Sequence, residues 1–163
     1  MSLEQLNQEY GIDGQLRFIE GKGGLTMIEI DNGQAAALIS IHAGQVLSFK
    51  PHDAKDDLLF VGTTAYFDTG KAIKGGIPIC WPWFGPDPED KGRPAHGFVR
   101  SAPWSVIATE AVADGSTVVK LGIADDANTR AIWPHAFNLI QMITVGPTLQ
   151  LELVTKNPDD LPF

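Results

Sequence analysis

Apolar and polar positions change period three times along the chain. Near the N-terminus, Leu3, Leu6 and Tyr10 recur at helical spacing behind Ser2 and Gln5, a Ser-x-x-Gln capping box. The spacing predicts a short helix over Ser2–Tyr10, ended by Gly11 and Gly14, with a frayed terminal turn as the competing reading. From Leu25 the period shortens. Leu25-Thr-Met-Ile-Glu-Ile alternates, Asp31-Asn-Gly33 is a hairpin turn signal, and Gln34-Ala-Ala-Ala-Leu-Ile-Ser-Ile41 follows. Gly44 then precedes Val46-Leu-Ser-Phe-Lys50, and Asp56-Asp-Leu-Leu-Phe-Val61 reads as a further short strand. Beyond residue 104 the same pattern returns. Strands are predicted over Trp104–Glu110 and Thr117–Ile123, the latter with Thr117, Val119, Leu121 and Ile123 on one side. One helical turn is expected within Asp125–Trp133, stopped by Pro134. Two more strands follow, over Phe137–Val145 and around the alternating Leu149, Leu151 and Leu153. Short runs separated by Gly, Asp and Asn predict a mainly β chain, an antiparallel β-sandwich.

Between the two strand-rich regions, Lys71–Trp104 has neither period. It holds three of the four tryptophans and five of the twelve basic residues (Lys71, Lys74, Lys91, Arg93 and Arg100). Pro78, Pro82, Pro86 and Pro88 forbid an ordinary helix and exclude a regular central strand. Aromatic side chains on proline-stiffened, irregular backbone predict a preformed surface, and such loops commonly carry function.

The formal charge of −8 removes a general nucleic-acid or anionic-membrane partner, since both need a positive surface. No apolar run approaches the eighteen residues of a membrane span, and Met-Ser-Leu-Glu-Gln lacks the layout of a secretory signal. Cys80 is the single cysteine, so an internal disulfide is impossible and a reducing cytoplasm is the expected location. No two histidines have metal-ligand spacing, and no metal site is expected.

Candidate chemistry concentrates in the irregular stretch. If Pro-Ala-His-Gly-Phe enters a strand, His96, Phe98 and Arg100 share one face. His96 would then hydrogen-bond or protonate a sugar oxygen, with Arg100 or Lys74 holding an anionic group. The competing reading makes His96 a satisfied loop residue and Arg100 a surface cation. Lys74-Gly75-Gly76 offers backbone amides and a cation, but matches no phosphate-loop fingerprint. Trp81, Trp83 and Phe84 either stack on sugar faces or fill a core. His42, His52 and His135 are expected in structural or exposed roles. The acidic run Asp87, Glu89 and Asp90 reads as a solvated face.

Lys-Gly-Gly-Ile-Pro-Ile-Cys-Trp-Pro-Trp-Phe-Gly (74–85), followed by His-Gly-Phe-Val-Arg (96–100) and Pro-Trp, closely resembles the hexose-6-phosphate mutarotases, or glucose-6-phosphate 1-epimerases, of the aldose 1-epimerase (galactose-mutarotase-like) superfamily. Thr129-Arg-Ala-Ile-Trp-Pro-His-Ala-Phe137 is similar to a further landmark. The resemblance runs from about Leu25 to the end, dividing the chain into an N-terminal extension (1–24) and the N-terminal part of a mutarotase-like β-sandwich (25–163). It implies a twisted supersandwich, apparently incomplete at its C-terminus, that interconverts the α and β anomers of a hexose 6-phosphate without metal or organic cofactor. The family's acid histidine and base glutamate would lie beyond Phe163, so no catalytic residue is assigned. The substrate-binding residues carried over are Lys74, His96, Arg100, Trp81 and Trp83. Lys74 stands at a family arginine and so loses a bidentate fork. Ala95 stands where some relatives have glutamine. Exposed strand edges are expected to be covered by a partner chain or self-association. A non-catalytic sugar-phosphate-binding or regulatory half-domain is the alternative from another class, and a ligand-free structural fragment is a third.

Overall fold

The computed structural model of the chain describes residues 1–160 and 162–163. Helix α1 (Leu3–Tyr10) begins at the expected capping box: the Ser2 side chain accepts from Gln5 N and the Gln5 side chain from Ser2 N. Leu6 is its buried contact, with Leu3 and Tyr10 packed against the same core. Asn7 joins the helix to the next element, donating to and accepting from the backbone of Phe18.

Among the described residues eight strands form two antiparallel sheets in simple sequence order. The first contains β1 (Leu16–Glu20), β2 (Thr26–Asp31), β3 (Ala35–Ser40) and β4 (Gln45–Pro51). The second contains β5 (Ser105–Ala111), β6 (Thr117–Ala124), β7 (Asn138–Val145) and β8 (Leu149–Lys156), with α2 (Ala127–Ile132) between β6 and β7. The predicted Asp31-Asn-Gly33 turn forms and does more than reverse the chain. Asn32 Oδ1 accepts from Gln34 N and Ala35 N, while its Nδ2 donates to Thr117 Oγ1 and Val145 O on the second sheet. One turn residue thus pins the two sheets together.

Alternate residues on the strands fill two different spaces. Ile28, Ile30, Ile39, Val46 and Phe49 face the main core, where they meet Val119, Leu121, Phe137, Leu139, Ile143 and Val145 of the second sheet region. Met27 and Leu47 point the other way. With Leu25 and Ile73, and with Leu38, Val61 and Phe67 packed alongside, they make a second cluster on the reverse face of the first sheet. The residues from 57 to 73 cover that face and leave a cavity of about 360 Å³ beneath them.

Residues 1–24 pack onto the first sheet: Leu16 and Phe18 alternate inward and β1 pairs with β2 from Leu16↔Ile30 to Glu20↔Thr26. One expectation fails here. The run 56–61 is not a strand. Asp57 accepts from Ser48 Oγ, Phe49 N and Leu59 N, which turns the chain before a ladder can form. Leu58 and Phe60 are left 62% and 80% exposed, and only Val61 makes a bridge, to Gly75. Among the described residues no helix is long and apolar enough to cross a membrane.

Truncating Leu121, fully buried between the sheets, to alanine is expected to lower unfolding free energy by about 2–5 kcal/mol in urea titrations. Leu58→Ala, on the exposed turn, is expected to change it by less than about 0.5 kcal/mol.

Candidate functional site

The irregular stretch is organised by one close crossing of backbone. Trp81 and Gly97 form a parallel bridge, and Phe98 N donates to Trp81 O at 3.2 Å. Gly97 has φ +69, and a Cβ placed on it would lie 1.8 Å from Trp81 O. Only glycine fits there. The residue before it, His96, also has positive φ (64°), an uncommon state for a residue with a side chain.

Reciprocal bonds hold His96 in that state. Its N–H donates to Gly85 O at 2.7 Å, and Gly85 N–H donates to its Nδ1 at 3.0 Å. Because Nδ1 accepts, the neutral imidazole carries its proton on Nε2. His96 is thereby set as a hydrogen-bond donor through Nε2. Arg100 arrives beside it by a route the strand reading did not foresee. Val99–Ser101 is a 3-10 turn rather than strand, so His96 and Arg100 do not share a strand face. Instead the turn folds the guanidinium back, and Nη2 donates to Ala95 O at 2.8 Å. Among the described residues Arg100 has no carboxylate partner.

Trp81 points inward from the crossing. Its ring lies 4.5 Å from Phe137, 5.1 Å from Trp133 and 6.1 Å from Phe98, which makes it part of the wall of the main core. Its peptide bond to Pro82 is cis. Trp83 is heavily engaged: its Nε1 donates to Pro94 O at 3.0 Å, it meets Phe98 edge-on, and Arg93 covers its ring at 4.5 Å. Phe84, by contrast, is 81% exposed and meets the His96 ring edge-on at 4.8 Å. His135 packs on Trp133 at 4.3 Å. His42 is buried with Nε2 on Lys71 O, and the exposed His52 ring meets Asp31.

Lys74 belongs to different surroundings. It follows Ile73 of the second cluster, and the Gly75 and Gly76 backbone beside it is occupied: Gln45 Nε2 donates to Gly75 O, and Gly76 N donates to Phe60 O. Lys74 itself is exposed, and among the described residues no hydrogen bond or ion pair joins it to the His96 turn. Among the described residues Trp81 and Trp83 both meet Phe98, His96 is bonded to Gly85 and Arg100 to Ala95 O, and none of these contacts reaches Lys74.

In the acidic run Glu89 and Asp90 are exposed, but Asp87 is withdrawn from solvent. The Asp87 side chain is 6% exposed and accepts from Glu89 N, Lys91 N, Arg93 N and the Arg93 guanidinium, whose own side chain is 9% exposed. The Arg93 guanidinium foremost, against the opposing effect of burial and helped by the three amides, holds the Asp87 carboxyl far below the usual carboxylate range. The readable signal was an Asx-turn aspartate with an arginine six positions on. Among the described residues no three His, Cys, Asp or Glu side chains are placed to hold a metal ion.

Comparison with known proteins is consistent across sequence and structure. The family model "Aldose 1-epimerase" matches residues 26–163. An Escherichia coli (strain K12) relative named "Putative glucose-6-phosphate 1-epimerase" is 36% identical over 129 residues, covering 79% of this chain and 43% of its own length. A Cenchrus ciliaris relative of the same name is 34% identical over 135 residues, covering 78% of this chain and 40% of its own. The crystal structure of a "putative mutarotase (YeaD)" from Salmonella typhimurium superposes with a TM-score of 0.83 at 33% identity, over 90% of this chain and 48% of that one. The chain thus spans less than half the length of these relatives.

Gly97→Ala is expected to cost roughly 3 kcal/mol or to prevent folding, since the added methyl meets the Trp81 carbonyl. Gly85→Ala, at φ +81 with open space around its Cβ, should cost only about 1 kcal/mol in the same urea titration. A pH dependence follows from Asp87. Its folded pKa is depressed, so the unfolded chain takes up the proton first. The stability it confers is therefore full above the unfolded value near 3.9 and is lost as pH falls through the lower folded value. The Asp87 side-chain ¹³C resonance should accordingly titrate with a midpoint below about 3.9.

Proposed function

Because the chain belongs to the aldose 1-epimerase family, we propose that its His96 turn is the sugar-positioning wall of a hexose 6-phosphate mutarotase site. The observation that supports this most directly is the fixed pairing of a hydrogen-bond donor with a cation. His96 Nδ1 is engaged by Gly85 N–H, which leaves Nε2–H as the ring's donor, and Arg100 is held on Ala95 O one residue away. An imidazole N–H suits a sugar hydroxyl or ring oxygen, and a guanidinium suits a phosphate. The Trp81 ring lies on the core side of the same stretch, against Phe98 and Phe137. The E. coli and C. ciliaris relatives carry a name that specifies glucose 6-phosphate, which supports the choice of substrate class.

Anomer exchange needs a base to take the anomeric hydroxyl proton and an acid to protonate the ring oxygen. The ring opens, the C1–C2 bond rotates, and closure reverses the roles. We assign to residues 1–163 the binding and orienting part of that reaction and no proton transfer. Lys74 remains a candidate for the phosphate only as a point charge, by a reach across the exposed turn on which it sits.

Titration of the ¹⁵N-labelled chain with glucose 6-phosphate is expected to shift the His96, Arg100 and Trp81 side-chain signals, with weaker binding of glucose. Arg100→Ala should weaken glucose 6-phosphate binding about 10-fold to 150-fold, the loss of one charge-assisted contact of roughly 1.5–3 kcal/mol. Signals at His96 that neither sugar moves would overturn the assignment. Anomer exchange in the same samples separates the two functional classes: the spontaneous rate marks a binding unit, and a faster rate marks catalysis within these residues.

A further inference from the structure

Residues 86–95 contribute nothing to either hydrophobic cluster, yet they are closely bonded internally. Five bonds converge on one carboxylate. Asp87 accepts from Glu89 N at 3.1 Å, Lys91 N at 2.8 Å, Arg93 N at 3.0 Å, Arg93 Nε at 2.9 Å and Arg93 Nη2 at 2.5 Å. The same guanidinium lies over the Trp83 ring, and Trp83 grips the far side of the loop through Pro94 O. Two residues later comes His96, whose Nδ1 and N–H close the loop on Gly85.

We propose that the buried Asp87–Arg93 pair is a positioning device for His96, which fixes the imidazole tautomer and the direction of its free N–H. The inference deepens the sugar-positioning reading above and rests on it for its purpose, though not for its geometry. The loop's internal bonding does not serve the core, because no residue of the loop enters it. It serves the loop's shape, and the strained residue at the loop's end is the one with a chemical group to aim. A positive-φ histidine persists only where its surroundings over-determine it. Gly85 and the Gly97 crossing fix its backbone. The Asp87–Arg93–Trp83 stack fixes the span between Gly85 and His96, and so the alignment of the Gly85 N–H with Nδ1. Lysine could not replace Arg93 fully, since the contact uses both the two-nitrogen fork and the planar stack on Trp83.

The test is side-chain ¹⁵N NMR of His96 in the 163-residue chain, with Asp87→Ala, Asp87→Glu and Arg93→Lys. The wild type should show one predominant tautomer with hydrogen on Nε2, and a Gly85 amide proton shifted downfield by its bond to Nδ1. Asp87→Ala should give a tautomer mixture, lose the Gly85 shift and weaken glucose 6-phosphate binding about 10-fold, while the buried Trp104 indole signal stays in place. Arg93→Lys should fall between, and Asp87→Glu should restore part of the wild-type pattern. A His96 tautomer and Gly85 shift unchanged in Asp87→Ala would overturn the proposal. Should Asp87→Ala not fold, Arg93→Lys decides: an unchanged His96 pattern overturns it and a partial mixture supports it. The tautomer readout needs no ligand. A wild type with the single tautomer but no affinity for sugar phosphates would therefore sink the functional reading alone.

Discussion

Where Gly97 runs beneath the Trp81 carbonyl, the chain crosses itself with no space for a side chain, and that crossing ties the interior to the surface. On the inner side, Trp81 delivers its ring into the wall shared by Phe98, Trp133 and Phe137. On the outer side, the same few residues lead directly into His96, held by Gly85, and into the turn that folds Arg100 back over Ala95. The core between the sheets thus supplies the rigidity, and the crossing transmits it to groups that face solvent. Proline-rich backbone suits this role. It offers few donors that would need a ladder, and it keeps the unfolded chain from sampling many alternatives.

Charge is distributed to the same end. The chain is strongly acidic overall, yet around the His96 turn the cations are sorted. Arg93 is neutralised by Asp87 and approached by Glu89, and Lys91 pairs with Glu89. Arg100 alone of the three keeps a guanidinium without a carboxylate among the described residues. An anion arriving at this surface meets one undivided positive charge rather than a diffuse basic patch. That arrangement favours selectivity over general attraction.

The sheets were legible because their residues obey a local rule. Val119, Leu121 and their neighbours alternate, the Asp-Asn-Gly turn announces itself, and the capping box marks α1. Residues 56–61 misled because an apolar run states hydrophobicity but not hydrogen bonding, and Asp57 diverted the backbone. β1 was overlooked because Leu16-Arg-Phe-Ile-Glu is short and lies among turn residues; its pairing is fixed by β2, not by its own pattern. At the site, the density of aromatics and cations singles out the stretch holding Trp81, Trp83, His96 and Arg100, but its geometry is not legible, since a 3-10 turn and a left-handed histidine leave no periodic trace. Burial of Asp87 is not legible in the sequence, because it depends on a partner six residues away and on a ring, Trp83, that precedes both. Lys74 lies near these residues in sequence. Its turn follows the cluster on the reverse face of the first sheet.

Three of the four tryptophans, Trp81, Trp83 and Trp133, stand at or beside this surface, each against another ring or a guanidinium, and only Trp104 is an ordinary core residue with its indole N–H on Val99 O. The intrinsic fluorescence of the molecule is consequently weighted toward one corner. Emission followed during denaturation would report mainly on that corner, whereas backbone circular dichroism reports on the sheets.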